Sequence, residues 1–250
     1  MSRENLIYQA QLAEQTERFE DMLEYMKSVV KLGGDLSEEE RNLLSVAYKN
    51  SVGSRRSAWR ALSSIEERQS GDEGKIKLIV DYRQKVEKEL DKFCYDILGL
   101  IDENLVPQAS TTECRVFFLK MKGDYYRYIG EYTKGEGNKK VAESALSSYN
   151  DATELANKDL KTTNPIRLGL ALNFSVFYYE IMNEPSKACE MAKQAFDDAI
   201  ANIEDLPEDQ YKDSTTIMQL IRDNLTLWTS ELAEDDEGEE DVWVMKKYDL

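Results

Sequence analysis

The sequence predicts an all-α fold, because only 4 prolines and 12 glycines punctuate 250 residues, apolar positions recur at spacings of three and four, and strand-like alternation is almost absent. With 41% hydrophobic residues there is ample material for a continuous core. Nine helical segments can be read in order, near 3–16, 19–32, 38–68, 74–106, 113–133, 138–160, 165–182, 187–203 and 211–232. The first two rest on amphipathic periodicity, and Gly33-Gly34 ends the second. Ser37 with Glu40 forms a capping box that starts the third. Pro107 is expected to stop the fourth, and Gly135 and Gly137 separate the fifth from the sixth. Pro165 suits the first turn of the seventh, behind the Thr163-Asn164 cap region. Apolar spacing carries the eighth and ninth, and short connections throughout imply antiparallel neighbours.

No composition shift marks a boundary inside residues 1–232, which read as one domain, and no repeat signature is visible. From residue 233 the pattern gives way to acids. Residues 231–250 carry nine acids against Lys246 and Lys247, a net of -7, so residues 233–250 are expected to be an acidic disordered tail. The formal charge of the whole chain is -17, which leaves about -10 on the body. Such a surface repels nucleic acid, whose phosphates bind basic patches by counterion release. An anion site must therefore be a local concentration of cations.

Other function classes find no support. The chain has no histidine, the commonest general base, and Cys94, Cys114 and Cys189 show neither zinc spacing nor an even disulfide framework. Neither a metal nor any other cofactor is expected. The thiols are expected to be reduced and the protein soluble and cytosolic, since no apolar run reaches the ~18 residues that span a bilayer. The glycines of Gly71-Asp72-Glu73-Gly74 and Gly135-Glu136-Gly137 lie at helix junctions rather than in a phosphate-cradling loop. Carboxylate pairs are too plentiful for one to mark an acid/base couple, so no catalytic residue is expected.

Two cationic stripes remain. Lys49 and Arg56, seven apart, share a face of the third helix, and Lys120 and Arg127, also seven apart, share a face of the fifth, with Tyr128 adjoining. Facing each other, they would suit a phosphate dianion; alternatively they are solvated or paired with the many acids. In the seventh helix Leu172, Val176 and Tyr179 follow helical spacing, bordered by Asn173 and Glu180. In the ninth, Ile217, Leu220, Asn224, Leu227 and Trp228 read as one broad stripe. An asparagine within an apolar stripe requires a hydrogen-bond partner, either a ligand backbone or a neighbouring helix.

Longer motifs resemble those of the 14-3-3 family. Arg41-Asn42-Leu43-Leu44-Ser45-Val46-Ala47-Tyr48-Lys49-Asn50 is similar to its first signature, and residues 211–230, from Tyr211 to Ser230, resemble its second. Gly123-Asp124-Tyr125-Tyr126-Arg127-Tyr128 and the stretch from Asn164 to Phe177 also match the family pattern, and the similarity covers roughly residues 1–232. The resemblance implies a cup-shaped bundle of nine antiparallel helices, homodimeric through its N-terminal helices, whose amphipathic groove binds phosphoserine or phosphothreonine segments. By motif, Lys49, Arg56, Arg127 and Tyr128 would hold the phosphate and Lys120 would add positive potential. Asn173 and Asn224 would pair with ligand main chain, with Glu180 and Trp228 at the polar edge; Leu172, Val176, Ile217, Leu220 and Leu227 would form the apolar wall.

For the dimer, the resemblance implies that Leu12 and Ala13 meet Leu62, Ile65 and Tyr82 across the seam, with Arg18–Glu89 and Asp21–Lys85 as cross-subunit ion pairs. Asn5 and Gly74 lack charges that form a further pair in some relatives, while Ala58 and Glu184 stand where some members carry phosphorylatable serines. The implied activity is that of a non-enzymatic, cytoplasmic adaptor, a homodimer or a heterodimer with another isoform, which clamps, masks or sequesters phosphorylated clients and shuttles with them to the nucleus. Neither nucleic-acid binding nor membrane insertion is implied. A phosphate-independent acidic scaffold or holdase is the alternative.

Overall fold

The structure is a computed structural model that describes residues 1–233 in full and the backbone alone on to Tyr248. The tail expected at residues 233–250 therefore lies, beyond Ala233, outside the fully described residues. Nine long helices and no strand occur among the described residues: α1 (Arg3–Gln15), α2 (Phe19–Lys31), α3 (Glu38–Arg68), α4 (Glu73–Leu100), α5 (Thr112–Tyr132), α6 (Gly135–Asp159), α7 (Pro165–Glu180), α8 (Pro185–Ala201) and α9 (Glu208–Tyr248). Each begins within three residues of its expected start.

The punctuation works as the residue chemistry dictates. Gly33 and Gly34 take φ of 82° and 84°, a region open to glycine without steric cost, and release the chain from α2. Ser37 Oγ accepts from the Glu40 amide at 3.2 Å while the Glu40 carboxylate accepts from the Ser37 amide at 3.1 Å, closing the capping box. Asn164 Oδ1 accepts from the amides of Ile166 and Arg167 ahead of Pro165 at the first turn of α7.

Pro107 departs from expectation. The helical path continues past Leu100 through a π-helical segment, Ile101–Leu105, and a last α turn, Val106–Gln108, so Pro107 lies inside the final turn instead of halting the helix before it. The Val106 amide donates to the Ile101 carbonyl, five residues back. The wider turn relaxes the backbone just where proline lacks an N–H.

The chain forms two compact units, Met1–Ala145 and Leu146–Leu250, and α6 carries the backbone across the boundary. In the first unit, consecutive helices pack on one another from α1 to α4, and α4 packs on α5. Met22, Leu23, Met26, Leu44, Tyr48, Leu90, Ile97, Phe118 and Ile129 are fully buried there. Tyr48 donates to Asp96 at 2.5 Å, and Lys27 reaches the same carboxylate at 2.8 Å, so the buried phenol keeps its proton and a partner. In the second unit α7 packs on α8 and α9, and Phe174 stacks on Tyr149 and Tyr178 at centroid separations of 5.0 and 4.9 Å.

A charged clasp ties α1 to the start of α3. Arg3 donates from Nε and Nη2 to the two Glu40 oxygens at 2.8 and 2.6 Å. That hydrogen bond, from Arg3 foremost, holds the Glu40 carboxyl below the usual carboxylate range against the opposing effect of burial. A carboxyl whose pKa is lower folded than unfolded adds stability above its unfolded value and loses it as pH falls through the folded one. Glu40→Gln should therefore lower stability by roughly 1–2 kcal/mol at neutral pH. The deficit should shrink as the pH of the melt is brought below about 4. A gap independent of pH would overturn this account of the clasp.

Candidate functional site

In the first unit, α3 and α5 present the two cationic stripes to a common region. Seven residues of helix advance roughly 10 Å, within the combined reach of two long side chains, so Lys49 and Arg56 can converge on one group. Lys49, Arg56, Arg60 and Tyr128 line one cavity of 930 Å3, whose remaining wall comes mostly from the α1–α2 turn and the middle of α3. Arg127 joins them through Tyr128: the Arg56 and Arg127 guanidinium carbons lie 3.9 and 4.9 Å from the Tyr128 ring centroid. Tyr128 in turn packs edge-on against Tyr125 at 5.3 Å.

Two nearly buried carboxylates hold the cations in place. Glu131 binds Arg56 through both oxygens and also meets Arg60 at 3.2 Å. Asp124 accepts from Lys120 at 2.9 Å and lies 3.8 Å from Arg127. Five cations, Lys49, Arg56, Arg60, Lys120 and Arg127, are thus gathered on α3 and α5 beside Glu131 and Asp124, inside a chain of formal charge -17. Lys49 is exposed and has no ion-pair partner among the described residues. Burial, before the neighbouring charges, pushes the Tyr128 phenol above its ordinary range, so it remains a neutral O–H donor. The nearby Cys94 thiol is pushed by burial up to about 12, which leaves it protonated and unreactive.

Arg60, Asp124 and Glu131 were not singled out by the sequence. Their signal was present in the spacing: Arg60 follows Arg56 by four, and Asp124 sits four after Lys120 and three before Arg127. Among 49 acids that signal has little contrast.

In the second unit, Leu172, Asn173, Val176 and Glu180 lie on one side of α7, and Ile217, Leu220, Asn224 and Leu227 follow one another along α9. Leu220 and Leu227 are about half exposed, at 48% and 55%. Trp228 lies at the buried edge of that stripe, about 20° around the axis from Ile217. It is buried with Ser214, Met218 and Ile221, and stacks on Tyr179 at 4.7 Å, since its position is turned about 100° from Leu227. A serine in that buried row is satisfied by donating to the Thr163 carbonyl at 2.7 Å.

The seam residues of the first unit divide. Leu12, Ile65 and Tyr82 are exposed, Leu62 is half-buried, and Ala13 is buried within its own unit. Arg18 pairs with Asp21 at 2.5 Å, and Glu89 accepts from Arg55 at 2.9 Å, so three of the four charges assigned to cross-subunit pairs have partners within the chain. Among the described residues no cluster of three metal-ligating side chains occurs, and no helix is long and apolar enough to cross a membrane.

The family model described as 14-3-3 protein matches residues 9–229. The chain belongs to the 14-3-3 family. It is 59% identical over 235 residues to 14-3-3 protein zeta of Bombyx mori, covering 94% of this chain and 95% of that one. It is 58% identical to 14-3-3-like protein 2 of Caenorhabditis elegans, covering 94% of both, and 55% identical to Protein BMH1 of Saccharomyces cerevisiae, covering 96% and 91%. Membership makes this 14-3-3 chain an adaptor of a family that binds phosphorylated clients, and the all-α architecture expected from its sequence is that of the family.

Proposed function

We propose that this 14-3-3 chain is a phosphoserine- and phosphothreonine-binding adaptor, without catalytic activity, whose phosphate site is Lys49, Arg56, Arg127 and Tyr128 with Lys120 in support. The observation that carries the reading is the cluster of five cations on α3 and α5 in a strongly acidic protein. A phosphate adds about -1.5 to -2 charges and three strong acceptors, and charge-assisted bonds are roughly twice as strong as neutral ones. An unmodified hydroxyl offers these cations no comparable partner.

Asn173 and Asn224 are assigned to the ligand main chain and Glu180 to the polar edge, with Leu172, Val176, Ile217, Leu220 and Leu227 as the apolar wall; the exposure of Leu220 and Leu227 supports that assignment. Trp228 is assigned to the polar edge with Glu180, held in place by its stack on Tyr179. The active form is a dimer, with itself or an isoform, joined through Leu12, Leu62, Ile65 and Tyr82. It clamps, masks or sequesters clients in the cytoplasm and travels with them to the nucleus.

Titration of one client peptide in phosphorylated and plain forms tests the reading. The phosphorylated form should bind at least about a hundredfold more tightly, or roughly 2.7 kcal/mol. Equal affinities would overturn it in favour of a phosphate-independent scaffold.

A further inference from the structure

A second cavity, open on one side, is lined wholly by residues of the Leu146–Leu250 unit, from the C-terminal part of α6, from α7 and from α8, and its volume is 420 Å3. Its walls include Ala156, Leu168, Leu170, Ala171, Phe174 and Met191. On α7, Arg167, Ala171 and Phe174 fall within about 60° of one another around the axis, on the side opposite Asn173, Val176 and Glu180. The cavity is therefore separate from the surface assigned above to the client.

Arg167 is the unusual member of its lining. The guanidinium is half-buried, and its one side-chain hydrogen bond among the described residues runs from Nη1 to the Leu160 carbonyl at 2.7 Å. Arg167 has no ion pair within 4.0 Å among those residues, although Asp198 lies close enough to favour its charge. Burial works against that charge. A guanidinium has five N–H donors in a planar fork that matches a carboxylate, and only Nη1 of Arg167 is bonded to another described residue. Elsewhere in the same lining, Lys187 is engaged over the Tyr178 ring at 4.2 Å and with Glu184 at 3.6 Å. Glu190 and Asp198 place two acids in the lining against Arg167 and Lys187, so the lining has no net positive charge and a single negative charge, met at Arg167, is the most it suits.

We propose that this cavity is a binding site for a small apolar monocarboxylate, whose carboxylate accepts from Arg167 and whose hydrocarbon or aryl body fills the space beside Leu168, Ala171, Phe174 and Met191. The volume lies in the range of small-molecule sites, and a largely apolar surface with one cation that makes no close ion pair among the described residues is the pattern such sites use to fix orientation. An alkyl ammonium would place like charge against Arg167.

Calorimetric titration of the full chain with decanoate, below its micellar concentration, tests the site. Saturable binding of one decanoate per chain is expected, with decylammonium at least about tenfold weaker. Ala195→Phe, which fills the cavity from α8, should abolish binding; Arg167→Gln should weaken it about tenfold or more, and Arg167→Lys should weaken it less. Phosphopeptide affinity should be unchanged in all three, which separates this site from the adaptor site. If loss of the Leu160 hydrogen bond unfolds Arg167→Gln, Ala195→Phe and the decylammonium comparison carry the test. Absence of saturation, equal binding of decylammonium, or decanoate affinity retained in Ala195→Phe would overturn the proposal.

Discussion

Lys49→Glu should reduce phosphopeptide affinity on the order of a hundredfold or more while leaving the thermal melt within about 1 °C of the parent, because the side chain makes no ion pair among the described residues that the fold could lose. A charge-assisted hydrogen bond contributes roughly 1.5–3 kcal/mol, and reversal adds repulsion of the incoming phosphate to that loss. The neighbouring cations make poorer probes. Arg127 is buried and flanks Asp124, so Arg127→Ala would weaken binding and also remove a cation from beside a nearly buried carboxylate. Among the described residues, Arg56→Ala leaves Glu131 paired with Arg60 alone. A pair of titrations, phosphopeptide against parent and Lys49→Glu, with differential scanning calorimetry of both, checks the prediction. Affinity within a few-fold of the parent would remove Lys49 from the phosphate site.

The second large effect concerns valency. Leu12 and Tyr82 are exposed at 43% and 57%, and Tyr8, Ile65 and Leu78 are exposed on the same three helices, α1, α3 and α4. In the dimer proposed here, Leu12→Glu with Tyr82→Gln should halve the mass seen by sedimentation while leaving helical circular dichroism intact, since neither side chain contributes to the buried core. The apolar contacts carry this seam, because exposed ion pairs contribute only ~0–1 kcal/mol each. A doubly phosphorylated peptide should then lose about a hundredfold in affinity as the second binding event ceases to be intramolecular, while a singly phosphorylated peptide should bind as before. Parent mass in the double variant would overturn the seam assignment.

The contrast between what was legible and what was not has a physical origin. Helix starts were legible because capping is local: Ser37 with Glu40 and Asn164 with Pro165 act within one turn of the residues that reveal them. The fourth helix overran because a π-helical segment accommodates Pro107, and the hydrogen-bond shift that does so leaves no compositional mark. The two compact units were invisible for a related reason, since α6 crosses between them as one uninterrupted helix.

In the candidate site, sevenfold spacing identified Lys49 with Arg56 and Lys120 with Arg127, because helical geometry alone places such pairs on one face. It did not identify Glu131, which reaches Arg56 across 75 positions in sequence. The apolar band on α9 is wide enough to include both a buried row, with Trp228, and a half-exposed one, with Leu220 and Leu227, and periodicity does not separate the two. Only packing against Tyr179 distinguishes them.

Asp124 and Glu131 have one more consequence under the proposed reading. Each sits against the cations that a ligand must recruit, so an incoming group competes with anions already in residence. A client glutamate brings a single charge and two oxygens, no more than either resident carboxylate offers, and displaces little. A phosphoryl group brings nearly double the charge with three oxygens on a tetrahedral centre. The acids thus act as an admission threshold: the site ignores the many acidic side chains on protein surfaces and responds to the one modification that outbids its own counter-ions.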